Sequence, residues 1–400
     1  MSECKKVVVE RINRHKIKVL LVDDQAIFSL AVQEMLKDEE DIEFYYCDDP
    51  NSALKIAREF SPTVILQDLV MPQIDGLTLL KEYRMDNILK HIPKIVMSSK
   101  EESFIKAKAF SFGANDYLVK LPDKIELIAR IRYHSNSYIY LLERNEAYEK
   151  LAESKNLLLS ELKEAALYVK SALPLPLKGE ISSEWIYIPS LLLGGDVFGY
   201  HWLDSENFAF YLIDVCGHGV GAALLSITVM NVLRSKSFTG VDLYDPKCVL
   251  CFLNEKFPME KHKDMFFTMW YGLFNKKERK ITYSNAGHPP PILLSGKNRA
   301  ELEEKFLKTE GSVVGAMQGI RFYNESCFIG DFSELFIFSD GVFELLRPDG
   351  SNLSYRKFAG DLIDKSRNLN VDTGDILEYA YETRAEKLFE DDFSLVKFSF

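Results

Sequence analysis

The chain has 400 residues, of which 47% are hydrophobic and 27% charged, and a formal charge of −11 at pH 7. That length suggests two or three domains, the composition is that of a globular protein with real cores, and the acidic balance argues against non-specific nucleic-acid binding. Six cysteines, mostly far apart, fit a reducing cytoplasm better than a disulfide framework. Cys248 and Cys251 form a C-x-x-C inside a helical pattern and read as small buried apolar residues. Residues 1–18 lack the apolar core of a signal peptide. No run of eighteen apolar residues occurs, so no membrane span is expected and the expected location is the cytoplasm.

After a charged lead-in over 1–14, strand and helix patterns alternate. Strands are predicted at 17–22, 42–47, 63–67, 94–97 and 116–119, and helices near 26–37, 51–60, 76–86, 101–111 and 123–133. Five βα units predict a parallel sheet covered on both faces, an α/β doubly wound domain. Sites in such sheets form at the carboxyl ends of the strands. Asp23 and Asp24 close the first strand, Asp68 the third, Ser98 the fourth and Lys120 the fifth. Two unit charges about 4 Å apart repel by roughly 4 kcal/mol at an effective dielectric near 20. Three gathered carboxylates therefore call for a cation, and an all-oxygen site suits Mg²⁺. One carboxylate is then free to attack phosphorus, with Lys120 as a point charge for a phosphoryl oxygen.

This set resembles the receiver domain of two-component response regulators. The motifs are Val22-Asp23-Asp24, Asp68-Leu69-Val70-Met71-Pro72 followed by Asp75-Gly76, Ser98, Gly113-Ala114, and Tyr117-Leu118-Val119-Lys120. The resemblance implies that Asp68 accepts a phosphoryl group from a histidine kinase. It also implies that Asp23, Asp24, Asp68 and the Val70 carbonyl hold Mg²⁺, with Ser98 and Tyr117 as the switch pair. The family usually has Pro directly after the lysine; here Leu121 precedes Pro122, which puts the usual cis peptide in question.

From His134 to Leu173 there is no proline or glycine, and one long helix is predicted. Tyr138, Leu141, Tyr148, Ala152, Leu159, Leu162, Ala166, Val169 and Leu173 recur at steps of three and four, interrupted by Asn145 and Lys155. Such a seam suits a coiled coil and a homodimer through 138–173; a helix lying on a neighbouring domain is the other reading.

Pro174 and Pro176 stop this helix. Strands are then expected at 185–188, 196–203, 208–215, 266–274, 281–285, 292–294, 321–329, 335–339 and 393–398, and helices near 219–236, 245–257, 353–367 and 373–389. Residues 296–304 read as a polar surface loop. Strands in hairpin-like runs predict two antiparallel sheets stacked face to face with helices outside, an α+β sandwich. Aspartates again stand at strand ends: Asp196 after Gly194-Gly195, Asp214 before Gly217-His218-Gly219, Asp340 before Gly341, and Asp391-Asp392 before the final strand. Their convergence requires divalent cations, and two ions sharing a carboxylate could activate water and clamp a phosphate for in-line attack.

These motifs resemble the metal-dependent serine/threonine phosphatases of the bacterial sporulation and stress-response (SpoIIE) branch. Gly221-Ala222-Ala223, Asn285-Ala286-Gly287-His288-Pro289-Pro290 and Phe338-Ser339-Asp340-Gly341-Val342 with Glu344 also match, as does Ser394 where the family usually has Thr. The resemblance implies two Mn²⁺ or Mg²⁺ ions held by Asp214, the Val215 carbonyl, Asp340 and Asp391. Asp196 supports the site and Asp392 is a further candidate ligand. Gly199 stands where many members have a second Asp. His288 and His218 read as shaping their turns.

The domains are thus expected at 15–133 (receiver), 134–173 (helical linker) and 174–400 (phosphatase). The expected function is a response regulator whose Asp68 controls a phosphatase. The architecture implies a phosphorylated STAS-type anti-sigma-factor antagonist as substrate. The alternative is a metal-poor phosphatase fold acting as an adaptor in partner switching. Retention of Asp196, Asp214, Asp340 and Asp391 favours the enzyme.

Overall fold

The computed structural model describes residues 16–72, 74–99, 102–235, 241–385 and 388–400; the charged lead-in lies outside them. The chain divides into two compact units, Met1–Asn156 and Leu157–Phe400.

In the first unit the order is β1 (Ile17–Val22), α1 (Ala26–Leu36), β2 (Ile42–Cys47), α2 (Ala53–Phe60), β3 (Val64–Asp68), α3 (Gly76–Met85), β4 (Lys94–Ser98), α4 (Ser103–Ser111) and β5 (Asp116–Val119), followed by the long α5 (Lys124–Ala172). The five strands form a parallel sheet in the order β2-β1-β3-β4-β5. Its central strands are buried on both faces: Leu20, Leu21, Ile65, Leu66, Ile95 and Val96 have no exposed surface. Complete burial of one such side chain is worth about 2 kcal/mol. β3 reaches one residue further than its apolar run, because Asp68 pairs with Met97 across the sheet. The phosphoacceptor candidate is therefore the last residue of a buried strand.

α5 merges two predicted helices into one. Nothing between Lys124 and Ala172 can stop it, since the stretch contains neither proline nor glycine. Its first turns are tied to the first unit by Lys124–Asp38, Arg130–Asp116 and Arg132–Asp41 ion pairs, and Leu127, Ile131 and Ile139 enter the core beneath the sheet. Residues 144–161 are exposed on every side. At the far end Val169 packs with Leu193 and Ala223, flanked by Leu162, Ala166 and Ile227. The expected seam is thus partly consumed within the chain: Tyr138 packs at one end and Leu162, Ala166, Val169 and Leu173 at the other. Tyr148, Ala152 and Leu159 stay exposed. Among the described residues no helix is long and apolar enough to cross a membrane.

The second unit continues with β6 (Ser182–Ile188), β7 (Val197–Trp202), β8 (Asn207–Val215), α6 (Val220–Arg234), α7 (Pro246–Lys256), β9 (Phe267–Asn275), β10 (Lys280–Ala286), β11 (Ile292–Gly296), β12 (Glu303–Phe306), β13 (Glu325–Phe328), β14 (Phe332–Phe338), α8 (Tyr355–Asn368), α9 (Thr373–Thr383) and β15 (Phe393–Ser399). Two antiparallel five-stranded sheets result, β13-β10-β9-β8-β7 and β12-β11-β14-β15-β6. Their inner faces meet in an aromatic core in which the Phe210 and Phe398 rings lie 5.1 Å apart. α6 and α7 cover the outside of the first sheet, and α8 and α9 that of the second.

Three expectations change here. Residues 303–304, expected at the end of the 296–304 loop, instead open an exposed edge strand that runs to Phe306 and pairs with β11; its Glu-Glu-Lys-Phe sequence hides it, because edge strands tolerate charge on both faces. α9 stops at Thr383 rather than 389, with Arg384 already extended. Cys248 and Cys251 are half-buried rather than core residues, and the Cys248 thiol donates to Asp245 at 3.1 Å.

Candidate functional site

The first site lies where β1, β3 and β5 end. Asp23, Asp24 and Asp68 each place an oxygen within 4.8 Å of the others. Lys120 follows β5, and its Nζ sits 2.8 Å from Asp23 Oδ2 and 2.9 Å from Asp68 Oδ2. The other oxygen of Asp68 accepts from the Leu69 amide at 2.8 Å. Burial raises the Asp68 pKa, the Lys120 ammonium opposes that shift and Asp23 adds to it, with a net rise. Burial works against the Lys120 charge, yet its hydrogen bonds to Asp23 and Asp68 leave its pKa above the ordinary value. Asp24 Oδ1 is buried without a hydrogen-bond partner. An all-carboxylate pocket with an orphaned oxygen fits a hard divalent cation.

The loop behind Asp68 is shaped by two motif residues. Asp75 caps α3 by accepting from the Leu77 amide, and a Cβ on Gly76 would fall 2.0 Å from the Asp68 carbonyl oxygen. Val70 points its side chain outward at 74% exposure. Ser98 is buried at the end of β4, and its carbonyl receives the Lys120 amide at 2.8 Å. Tyr117 is buried among Leu69, Leu77, Leu80 and Val96, with Lys106 Nζ 5.5 Å from its ring centre. Leu121 takes φ 57, and no cis peptide occurs among the described residues.

The second site lies at one end of the sandwich. Asp214 is next to last in β8 and opposes Thr268 of β9; Asp340 follows β14, and Asp391 precedes β15. These residues line one cleft of about 260 Å³ with Ser190, Val215, Cys216, His218, Thr268 and Glu390. Burial and then the charges of Asp340 and Asp391 push Asp214 up to about 7. Burial and then Asp391 and Glu344 push Asp340 up to about 6. Burial also raises Asp391, opposed by the Asp392 amide and by nearby His218. Asp196 is buried behind Asp214, its carboxyl held well above the usual range by burial and then by Asp214 and Asp392. Its Oδ2 has no hydrogen-bond partner. Crowded, uncompensated oxygens of this kind fit divalent cations. No three of these carboxylates bring oxygens within 4.8 Å; among the described residues only the first site does.

Asp392, a candidate ligand by sequence, has another task. Its two oxygens accept from the Ser190 amide and hydroxyl at 2.8 and 3.0 Å and from the Gly195 and Asp196 amides at 2.6 and 3.3 Å. The carboxylate is consumed in pinning the loop that delivers Asp196. The glycine pair follows from the same geometry: a Cβ on Gly194 would meet Asp392 Oδ2 at 2.3 Å, and one on Gly195 would meet the Val215 carbonyl oxygen at 2.7 Å. Gly199 pairs with Tyr211, and a Cβ there would fall 2.3 Å from the Tyr211 hydroxyl. Position 199 is not part of the cleft lining, so glycine there removes no carboxylate from it.

His288 is buried, bonded to Thr268 Oγ1 through Nδ1 at 2.9 Å, and burial pushes its pKa down to about 3, so it is a neutral structural histidine. His218, read as shaping its turn, instead lines the cleft near Asp391. Ser190, Thr268 and Glu390 were not singled out by sequence. Ser190 and Thr268 stand outside any motif, whereas Glu390 adjoins Asp391.

Comparison with known proteins finds a match for each half of the chain. Residues 19–132 match the family model of the response regulator receiver domain, and residues 204–400 that of stage II sporulation protein E. The chain joins a receiver domain to a SpoIIE phosphatase domain. It is 30% identical over 166 residues to the phosphoserine phosphatase RsbU of Bacillus subtilis, covering 41% of this chain and 47% of the relative. It is 24% identical over 186 residues to the phosphoserine phosphatase RsbP of the same organism, covering 46% and 45%. It therefore spans about half the length of these relatives. The SiaA-PP2C domain of Pseudomonas aeruginosa shares the fold with a TM-score of 0.53 at 17% identity, over 62% of this chain and 99% of that one. The SpoIIE match opens after Asp196, so that residue's place in the site rests on the geometry alone.

Proposed function

We propose that this protein is a response regulator in which phosphorylation of Asp68 controls a metal-dependent phosphoserine/phosphothreonine phosphatase. The observation that carries the reading is the cleft: Asp214, Asp340 and Asp391 reach one space from three strands, with no Lys or Arg among the described residues of the lining.

On this reading a histidine kinase supplies the receiver's phosphoryl group. The Asp68 carboxylate is the nucleophile, and Lys120, already on its Oδ2, is placed to pair with a phosphoryl oxygen. Asp23, Asp24, Asp68 and the Val70 carbonyl would hold Mg²⁺. Ser98 and Tyr117 report the modification to the rest of the domain.

In the phosphatase domain Asp214, the Val215 carbonyl, Asp340 and Asp391 would hold two Mn²⁺ or Mg²⁺ ions. When bound, these supply Lewis-acid charge that acidifies water and neutralises a phosphate. The buried Asp196 carboxyl lies beside Asp214, close enough for the charge of Asp214 to raise it. Among the described residues of the lining, His218 offers the imidazole available to protonate the leaving serine oxygen. The hydroxyls of Ser190 and Thr268 are held by Asp392 and His288, so these two residues shape the cleft wall.

RsbU and RsbP, both named phosphoserine phosphatases, support a phosphoserine protein as substrate. We assign a phosphorylated STAS-type anti-sigma-factor antagonist. A homodimer would form through the exposed centre of the 138–173 seam. The domains are taken as 15–133, 134–173 and 174–400, with the cytoplasm as location. The decisive experiment is phosphate release from a phosphoserine peptide by the full chain. Turnover should require Mn²⁺ or Mg²⁺ and vanish in Asp340→Asn. Control is tested with Asp68→Ala: acetyl phosphate should alter activity or dimerisation of the wild type only, and identical behaviour of both proteins would remove the receiver from the account.

A second reading, a catalytically weak adaptor under receiver control, draws on the separation of the cleft carboxylates, no three of which lie within 4.8 Å. Absence of turnover with either ion, while Asp340→Asn still captures a partner, would favour it.

A further inference from the structure

The loop carrying Ser190 is clamped at both ends by one buried carboxylate, Asp392, which takes the Ser190 amide on one side and the Gly195 amide on the other. Between the clamps the loop turns Leu193 inward against Ala223 of α6 and leaves Leu191 and Leu192 in solvent at 53% and 37% exposure. Val220 and Leu224, one turn apart on α6, are 47% and 62% exposed. Val220 stands two residues from His218, and Leu191 next to Ser190, both in the cleft wall. Two residues span at most about 7 Å of chain, so Leu191, Leu192 and Val220 border the mouth of the cleft, and Leu224 extends that face by one turn of α6. Isolated exposed leucines are ordinary; four on a preformed rim beside a catalytic opening are placed where a substrate must lie.

We infer that Leu191, Leu192, Val220 and Leu224 form a docking rim for the substrate protein. The partner chemistry is a phosphoserine flanked by aliphatic side chains. Acidic flanks are disfavoured, because the described lining of the cleft holds Asp214, Asp340, Glu390 and Asp391 and no Lys or Arg. The inference rests on the phosphatase reading and deepens it. A rim fixed before binding loses little entropy on docking, which favours affinity.

The test uses the full chain with Mn²⁺ and two phosphoserine peptides, one with leucines on both sides of the phosphoserine and one with serines there. A small aryl phosphate reports chemistry without docking. The leucine peptide should show a KM lower by roughly ten-fold, the scale of one or two apolar contacts in a pocket. In the Leu191→Ser, Leu192→Ser, Leu224→Ser triple variant that preference should collapse, with aryl phosphate hydrolysis unchanged. Equal KM values on the wild type overturn the inference, as does a preference that survives in the variant. A variant that changes sedimentation but keeps the preference also overturns it and gives the face to a second copy. Peptide binding to Asp340→Asn is read alongside, so loss of all turnover defeats the catalytic reading while the affinity ratio still decides the rim.

Discussion

The two acidic sites solve the same electrostatic problem in opposite ways. The receiver gathers three carboxylates within 4.8 Å and includes Lys120 among them. The cleft of the second unit collects at least as many carboxylates, with no Lys or Arg among the described residues of its lining. Its groups stand farther apart, and Asp214 and Asp340 are pushed up to about 7 and 6. A built-in ammonium lets an acidic pocket close before any ion arrives. Without one, protonation and separation do the work until cations take over. The receiver site is thus preformed, and the phosphatase site depends on what binds it.

The largest effect that would test this contrast is in the cleft. Asp340→Asn and Asp214→Asn should each lower Mn²⁺-dependent turnover by roughly a thousand-fold, as expected when several kcal/mol of ion and transition-state stabilisation are lost. Steady-state kinetics on a phosphoserine peptide measures it, and a loss under ten-fold would remove these residues from the ion site. In the receiver, Lys120→Ala should leave Asp23 and Asp68 without their internal cation. A cost of about 3 kcal/mol is expected in chelator, largely recovered with Mg²⁺, as read by denaturant unfolding of the receiver transition. An unchanged midpoint would mean that Lys120 does not hold the cage together.

A pH series sharpens the comparison further. A carboxyl whose folded pKa is raised contributes stability below its unfolded pKa and loses it as pH rises through the folded value. For Asp214 that window runs from the ordinary carboxyl range up to about 7. In chelator, Asp214→Asn should therefore melt above wild type at pH 8 by a few degrees, since each kcal/mol shifts Tm by about 2–4 °C in a domain of this size. The gap should shrink toward zero near pH 5. Comparing variant with wild type cancels the opposite trend from His288, whose lowered pKa removes stability as pH falls. The smallest effect on catalysis concerns Gly199→Asp. It should lower Tm without raising activity, because the new side chain meets the Tyr211 hydroxyl rather than the cleft; higher turnover would show that position 199 does reach the ions.

Much of this was legible where chemistry and local pattern coincide. Strands β1, β2 and β5 have the bounds their apolar runs suggest, and the glycine-flanked aspartates stand at strand ends. What was hidden depends on tertiary pairing. Asp392 looks like a ligand beside Asp391, and only its four hydrogen bonds reveal a clamp. β12 carries no apolar alternation, and its partner β11 makes it a strand. His218 sat inside a quoted motif, yet its direction into the cleft depends on how β8 hands over to α6. The long helix could have been extended back to Lys124 by the same absence of proline and glycine that marked the rest of it.

Asp392 has one more implication. It belongs to the run leading into β15, which lies beside β6, so between 196 and 202 residues separate the clamp from the positions it holds. A nascent chain therefore emerges from the ribosome with its glycine loop unanchored and β6 unpaired along the edge that β15 will cover. Fragments released before β15 is made would lack a working cleft and expose a bare strand, a species that quality control or aggregation removes. On the proposed function, late closure of this kind would confine hydrolysis to chains synthesised through β15 and deny it to shorter ones.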